Sequence, residues 1–195
     1  MTPLVLASTS AVRAALLRAA GLSFTTADPQ VDEDAVKAGL SAAGPREVAE
    51  TLARRKALAV STRRPGMVIS ADQTLEFEDR LYDKAKNLAE ARDRLQMLSG
   101  RTHSLHAAVC VAKDGDVLWS HVASPQLTMR HLSETWLHGY LSRHGDSLLA
   151  SVGGYYLEGE GVQLFESIDG DYFSVLGLPL LSLLAFLRSA GGLDA

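Results

Sequence analysis

One stretch narrows the folds open to this chain more than any other: Met67 to Lys84, MVISADQTLEFEDRLYDK. Met67 to Ala71 is an apolar run of the kind that makes a buried strand, and it leads directly into an acid, Asp72. Leu75 to Glu78 and Arg80 to Tyr82 read as two short extended pieces parted by the turn-prone Glu78-Asp79, and Lys84 closes the segment. A carboxylate at the carboxyl end of a core strand is well placed to face a ligand, because ligands of α/β sheets sit outside those ends. A hairpin that returns a lysine nearby would give the site an acid and a cation. The same residues also read as a solvated loop acid beside a solvated lysine.

The segments around this stretch alternate strand and helix signals. Leu4 to Ala7 reads as a short buried strand, followed by Ser8-Thr9-Ser10 and a helix from Ala11 to about Ala20 that Gly21 stops, with Ser10 as N-cap. Arg13 falls in the first turn of that helix, where the macrodipole disfavours a cation. Either an anion bound at the helix end removes the conflict, or the arginine swings into water. Leu22 to Thr26 reads as a second strand, and the acidic Val31-Asp32-Glu33-Asp34 opens a region of uncertain order reaching Pro45. From Arg46 to about Ser61 the apolar positions Val48, Ala49, Leu52, Ala53, Ala59 and Val60 mark a helix with Lys56 inside its inward stripe. Such a lysine carries its ammonium out along its stem or reaches an anion at the edge of the core.

Beyond Lys84, Asn87 and Glu90 form a capping box for a helix ending at Ser99-Gly100. Thr102 to Ala112 and Val117 to Leu127 are strands of a hairpin turned by Lys113-Asp114-Gly115-Asp116. Ser133 caps a helix to about His144, Gln163 to Ile168 reads as a strand, and Pro179 takes the first position of the last helix. The glycines around Tyr155 to Glu158 either admit a close backbone approach or shape a loop.

Several classes fall away. At 195 residues the chain is expected to be one domain, and a net charge of −4 argues against a nucleic-acid partner. Cys110, the single cysteine, leaves no intrachain disulfide and no thiolate zinc site, and it reads as a packing residue. His103 and His106, three apart on a strand, point to opposite faces. No run approaches the roughly 20 apolar residues that span a bilayer, and Met1 leads into Leu4-Val5-Leu6 without a basic leader. The expectation is a cytoplasmic protein with no membrane partner. Walker, Gly-x-Gly-x-x-Gly and Gly-x-Ser-x-Gly patterns are absent. What remains supports a small-anion site.

A set of motifs in order resembles the Maf family of nucleoside triphosphate pyrophosphatases. They are Leu6-Ala7-Ser8-Thr9-Ser10-x-x-Arg13, Val31-Asp32-Glu33, Ala53-x-x-Lys56-Ala57, Ser70-Ala71-Asp72-Gln73, Asp83-Lys84, Leu98-Ser99-Gly100-x-x-His103, Glu158-Gly159-x-Gly161 and Gly170-Asp171-Tyr172 through Gly177-Leu178-Pro179. The resemblance spans the chain, residues 1–195. It implies an α/β fold, a Maf- and ITPase-like mixed twisted sheet flanked by helices, in two lobes with a central cleft. It implies hydrolysis of a nucleoside triphosphate between the α- and β-phosphates with a divalent cation, Mg²⁺ or Mn²⁺. Asp72 matches the proton acceptor, and Lys84 and Glu33 match further catalytic positions. Ser8, Ser10, Arg13 and Lys56 match positions around the triphosphate. Val12, Gln73 and Glu158 match the positions that select the base.

At those three positions the chain resembles the branch acting on 7-methyl-GTP rather than the dTTP and UTP branch, which has an arginine, a threonine and a glutamine there. A carboxylate at Glu158 can accept both N1–H and the exocyclic amine of a guanine. Two alternatives accompany this reading: a dTTP/UTP pyrophosphatase of the same family, or a nucleotide-binding regulator of cell division with little catalysis. A homodimer is compatible with either. The chain departs from the family pattern at Ala11 and Ala14, where a proline and a second arginine are usual. It departs again at Asp83-Lys84-Ala85, where Gly-Lys-Pro is usual, and at Ala150 to Gly153, where a lysine is missing.

Overall fold

The computed structural model describes residues 2–193. Its centre is two long antiparallel strands, β3 (Met67–Phe77) and β5 (Thr102–Lys113), in register from Val68 opposite Ala112 to Glu76 opposite Ser104. Each is too long for any one neighbour to cover, so each changes neighbours midway. On the outer edge of β3, β1 (Leu4–Leu6) pairs in parallel with Met67–Ile69, and β4 (Arg80–Tyr82) pairs antiparallel with Leu75–Phe77. On β5, β6 (Asp116–Ala123) covers Ala107–Lys113, and β7 (Gln126–Met129) covers Thr102–Ser104. A parallel β2 (Thr25–Thr26) beyond β1 and an antiparallel β8 (Phe165–Asp169) beyond β7 complete an eight-stranded mixed sheet.

The changes of neighbour divide the sheet into two lobes, and the apolar core divides with it. One core gathers Leu6, Ile69, Ala71 and Val109 under α1 (Ala11–Ala19) and the last helix, α7 (Leu180–Ser189). The other gathers Leu75, Leu105 and Leu127 with Leu95 and Leu98 of α4 (Leu88–Leu98) and Leu137 and Tyr140 of α5 (Glu134–His144). Between β1 and β4 the outer edge of β3 is left without a strand over Ser70–Thr74. This gap is where the central cleft opens.

The helix α3 (Pro45–Ser61) lies across one face of β3 and β5. It can sit close because Ala49, Ala53 and Ala57 meet Ala108, Cys110 and Ala112. The contact is partly polar: Ser70 Oγ donates to the Ala53 carbonyl, and Thr74 Oγ1 donates to the Pro45 carbonyl at 2.8 Å. With period-two alternation, Ser70, Asp72 and Thr74 face α3, whereas Ala71, Gln73 and Leu75 face the other side.

Several expectations are revised. Asp72 is not at a strand end but in the middle of an 11-residue strand; β5 continues the pairing where β1 stops. The region of uncertain order contains α2 (Glu33–Ala38), capped by Asp32, which accepts from Ala35 N at 2.9 Å. The second strand is only Thr25–Thr26, since Leu22 is buried as a loop residue. The strand expected over Val117 to Leu127 breaks between β6 and β7 at Ser124-Pro125, where Pro125 has no N–H for a ladder. Gln163 lies in a 3-10 turn before β8, Pro179 caps α7 rather than beginning it, and a short α6 (Tyr172–Val175) precedes it. Ala57, rather than Ala59, completes the buried stripe of α3.

Candidate active site

The cleft encloses about 1010 Å³, and all ten residues singled out by sequence line it: Ser8, Ser10, Val12, Arg13, Glu33, Lys56, Asp72, Gln73, Lys84 and Glu158. Six separate segments bring them there, which is why spacing alone could not assemble them.

At the floor, Lys56 Nζ lies 2.6 Å from Asp72 Oδ1 and 2.6 Å from Glu33 Oε1. Lys56 and Asp72 are each only 7% exposed. Of the two readings open for Lys56, the structure therefore selects the anion at the edge of the core. Asp72 Oδ2 has no hydrogen-bond partner among the described residues and is not sealed from solvent, so it faces the cleft. The two acids are driven apart. Burial raises the Asp72 pKa against the opposing pull of Lys56 and Arg13, and Glu33 adds to the rise. Burial also acts on Glu33, but the hydrogen bond and charge of Lys56, with Lys37 and Lys84, outweigh it and leave its pKa lowered. A carboxylate of raised basicity beside one held ionised is an arrangement suited to taking a proton.

The rim is the turn from β1 into α1. Ser8 Oγ accepts from Ser10 N at 3.2 Å, and the Ser10 cap accepts from Arg13 N at 3.3 Å. Arg13 does not swing into water. Its Nη1 donates to the Ala71 carbonyl at 2.8 Å and its Nε to the Gly177 carbonyl at 3.0 Å, so it braces the strand carrying Asp72 against the turn after α6. Burial lowers the Arg13 pKa, with Asp72 and Glu33 acting in the opposite sense. Nη2 has no hydrogen-bond partner among the described residues. Gln73, on the other face of β3, donates through Nε2 to the carbonyls of Ser174 at 3.1 Å and Val175 at 3.0 Å, which leaves its carbonyl oxygen as its unused polar group.

The opposite wall is built from the segment after β4 and the glycine loop. Arg94, 7% exposed, joins them by donating through Nη1 to the carbonyl of Asp83 and, at 2.8 Å, to that of Val152. Lys84 is exposed and has no ion-pair partner among the described residues. Glu158 is likewise exposed, whereas its neighbour Glu160 is fixed by Arg143 and His144, which lower its pKa to about 2. The two acids of that loop are therefore different in kind: Glu160 fastens it to α5, and Glu158 lines the cleft. Behind the loop, His103 Nε2 and the Tyr155 hydroxyl are 2.6 Å apart. Cys110 is buried, its thiol pushed up to about 12, as suits a packing residue.

Sequence reasoning missed Lys37 and its ion pair with Asp83, which it noted only as the neighbour of Lys84; both line the cleft. Lys37 follows Glu33 by four residues, a helical spacing that would have placed both on one face had the segment been read as a helix.

A family model for Maf-like proteins matches residues 3–190. A protein of Caulobacter vibrioides named nucleoside triphosphate pyrophosphatase is 55% identical over 195 residues, covering 99% of this chain and 98% of that one. A protein of Brucella abortus named 7-methyl-GTP pyrophosphatase is 50% identical, with 98% of each chain covered. One of the same name from Rhizobium etli is 50% identical over the whole of both chains, 100% of each.

Proposed function

The chain belongs to the Maf-like protein family, and from that premise and the cleft we infer that it is a nucleoside triphosphate pyrophosphatase. It hydrolyses its substrate between the α- and β-phosphates, releasing a monophosphate and pyrophosphate. The observation that carries the reading is Asp72: buried, raised in pKa, with one oxygen held by Lys56 and the other open to the cleft.

In the mechanism we assign, Asp72 Oδ2 accepts a proton from the water that attacks the α-phosphorus. Lys56 fixes the carboxylate's orientation, and Glu33 holds the ammonium from its other side. Ser8, Ser10, the unused Nη2 of Arg13 and Lys84 surround the polyphosphate and offset charge moving onto the departing pyrophosphate. Glu158 reads the base by accepting from a guanine edge, with Val12 lining the cleft from the α1 side. Gln73 acts through its carbonyl oxygen, because both donors it uses are held by α6. The preference we assign is for 7-methyl-GTP and related modified purines, and two relatives so named support it.

A divalent cation, Mg²⁺ or Mn²⁺, belongs to this proposal. Among the described residues no group of three or more His, Cys, Asp or Glu suits a metal ion. The residues fit a cation that Glu33 would hold by one carboxylate, with phosphate oxygens and water supplying the rest. When bound it would neutralise polyphosphate charge. No helix among the described residues is long and apolar enough to cross a membrane, and we place the protein in the cytoplasm. We treat it as one domain, because β3 and β5 run through both lobes.

The test is a panel of ordinary and modified triphosphates with Mg²⁺ or Mn²⁺, assayed for pyrophosphate, on the wild-type chain and Glu158→Gln. The wild type should favour 7-methyl-GTP, and the variant should lose that preference relative to pyrimidines. Absence of turnover on every substrate would overturn the enzyme reading, and an unchanged ranking would remove Glu158 from base selection.

A further inference from the structure

The positively charged groups of the cleft are not equally available to an incoming anion. Lys56 sits between two carboxylates at 2.6 Å each and is buried. Arg13 has two of its nitrogens tied to backbone carbonyls. Lys84 is exposed and has no ion-pair partner among the described residues. Lys37 differs from all three. Its ammonium pairs with Asp83 Oδ1, and the side chains are 24% and 61% exposed, so its partner is the most solvated acid paired to a lysine of the cleft.

Three observations bear on what this pair does. Lys37 lies one turn beyond Glu33 on α2, and both residues line the cleft, so its ammonium is on the side where the triphosphate would lie. The pair joins the two walls, α2 on one side and the segment after β4 on the other. The backbone of Asp83 is held independently, because Arg94 donates to its carbonyl and is itself buried and paired with Glu90. The Asp83 carboxylate can therefore leave Lys37 by side-chain rotation while the segment that presents Lys84 keeps its place.

We propose that Lys37 is a further polyphosphate ligand of the cleft and that Asp83 holds it in reserve. An exposed lysine–carboxylate pair contributes little to stability, whereas an ammonium against a chain of anionic phosphate oxygens makes stronger charge-assisted hydrogen bonds. The nucleotide's phosphates displace the Asp83 carboxylate, Lys37 passes from one anion to the other, and Asp83 turns to solvent. No bond is made or broken. In the empty cleft the pair masks one positive charge, so Asp83 competes with every weakly charged anion and yields to a polyphosphate. The inference rests on the nucleotide reading of the site.

The experiment is calorimetric titration with two probes, inorganic pyrophosphate and an α,β-methylene analogue of GTP that cannot be cleaved. The proteins are the wild type, Lys37→Gln, Asp83→Ala and the double variant, each checked for folding by circular dichroism. Lys37→Gln should weaken both probes by about tenfold, and Asp83→Ala should tighten both by a similar factor. In the double variant the gain should vanish, leaving the affinity of Lys37→Gln. A gain that persists without Lys37 would mean that Asp83 acts by simple repulsion, and the inference would fall. It would fall equally if both single variants bound as the wild type does. If the wild type bound neither probe, the nucleotide reading would fail first and take this inference with it.

Discussion

At the scale of single residues, Asp72 and Lys56 carry the proposed chemistry, and each gives a distinct prediction. Asp72→Asn keeps the shape and loses the basic oxygen, so turnover should drop by about 100-fold or more while the methylene analogue still binds. Turnover near the wild-type rate would dismiss Asp72 as the base. Because burial raises the Asp72 pKa above its ordinary 3.8, and only the ionised form accepts a proton, the acid limb of kcat/KM should lie above the ordinary carboxylate range. Lys56 pulls that pKa down. Lys56→Gln should therefore move the acid limb to still higher pH, with activity partly recovered as pH rises. A limb that stayed in place would mean another group titrates there.

At the scale of elements, the turn between β3 and β4 decides how Lys84 is presented. Glu78 and Asp79 both have positive φ, 51° and 59°, as a two-residue hairpin with the twist of its strands requires. A β-branched residue cannot adopt that conformation cheaply, so Asp79→Val should lower stability by about 1 to 2 kcal/mol. Asp79→Gly should match or exceed the wild type in thermal denaturation; equal losses for both would argue against the turn. This hairpin was legible in the sequence, as were α1 with its Ser10 cap, the β5–β6 hairpin and the inward stripe of α3. Legibility ended where tertiary contacts decide. Nothing local says that Met67–Ala71 continues through Asp72 to Phe77, because β5, a distant stretch of the chain, supplies the pairing partner. The helix at Glu33–Ala38 has no buried residue and hence no apolar stripe to read. The site residues could be named from ordered motifs, but the bracing of Arg13 and the anchoring of Gln73 depend on carbonyls of Gly177, Ser174 and Val175, from the far end of the chain.

At the scale of the whole molecule, two cores share one pair of strands, and His103 sits in the second. It is 2% exposed, hydrogen-bonded to Tyr155, with Nδ1 unpartnered among the described residues, and burial lowers its pKa from 6.5 to about 4. Between those values the unfolded chain binds a proton that the folded chain refuses. Its contribution to stability is thus complete above about pH 6.5 and lost as pH falls toward 4, by about 3 kcal/mol. Urea denaturation from pH 7 down to 5 should show this slope in the wild type and not in His103→Gln; identical slopes would remove His103 as its source. The placement of Asp72 has a further consequence. It stands within the strand common to both lobes, so the proposed proton-accepting oxygen has no hinge, lid or terminus through which to melt ahead of the rest. In a urea series, the loss of turnover and the loss of far-ultraviolet circular dichroism should share one midpoint, and an enzyme recovered from partial denaturation should be fully active or fully inert, molecule by molecule.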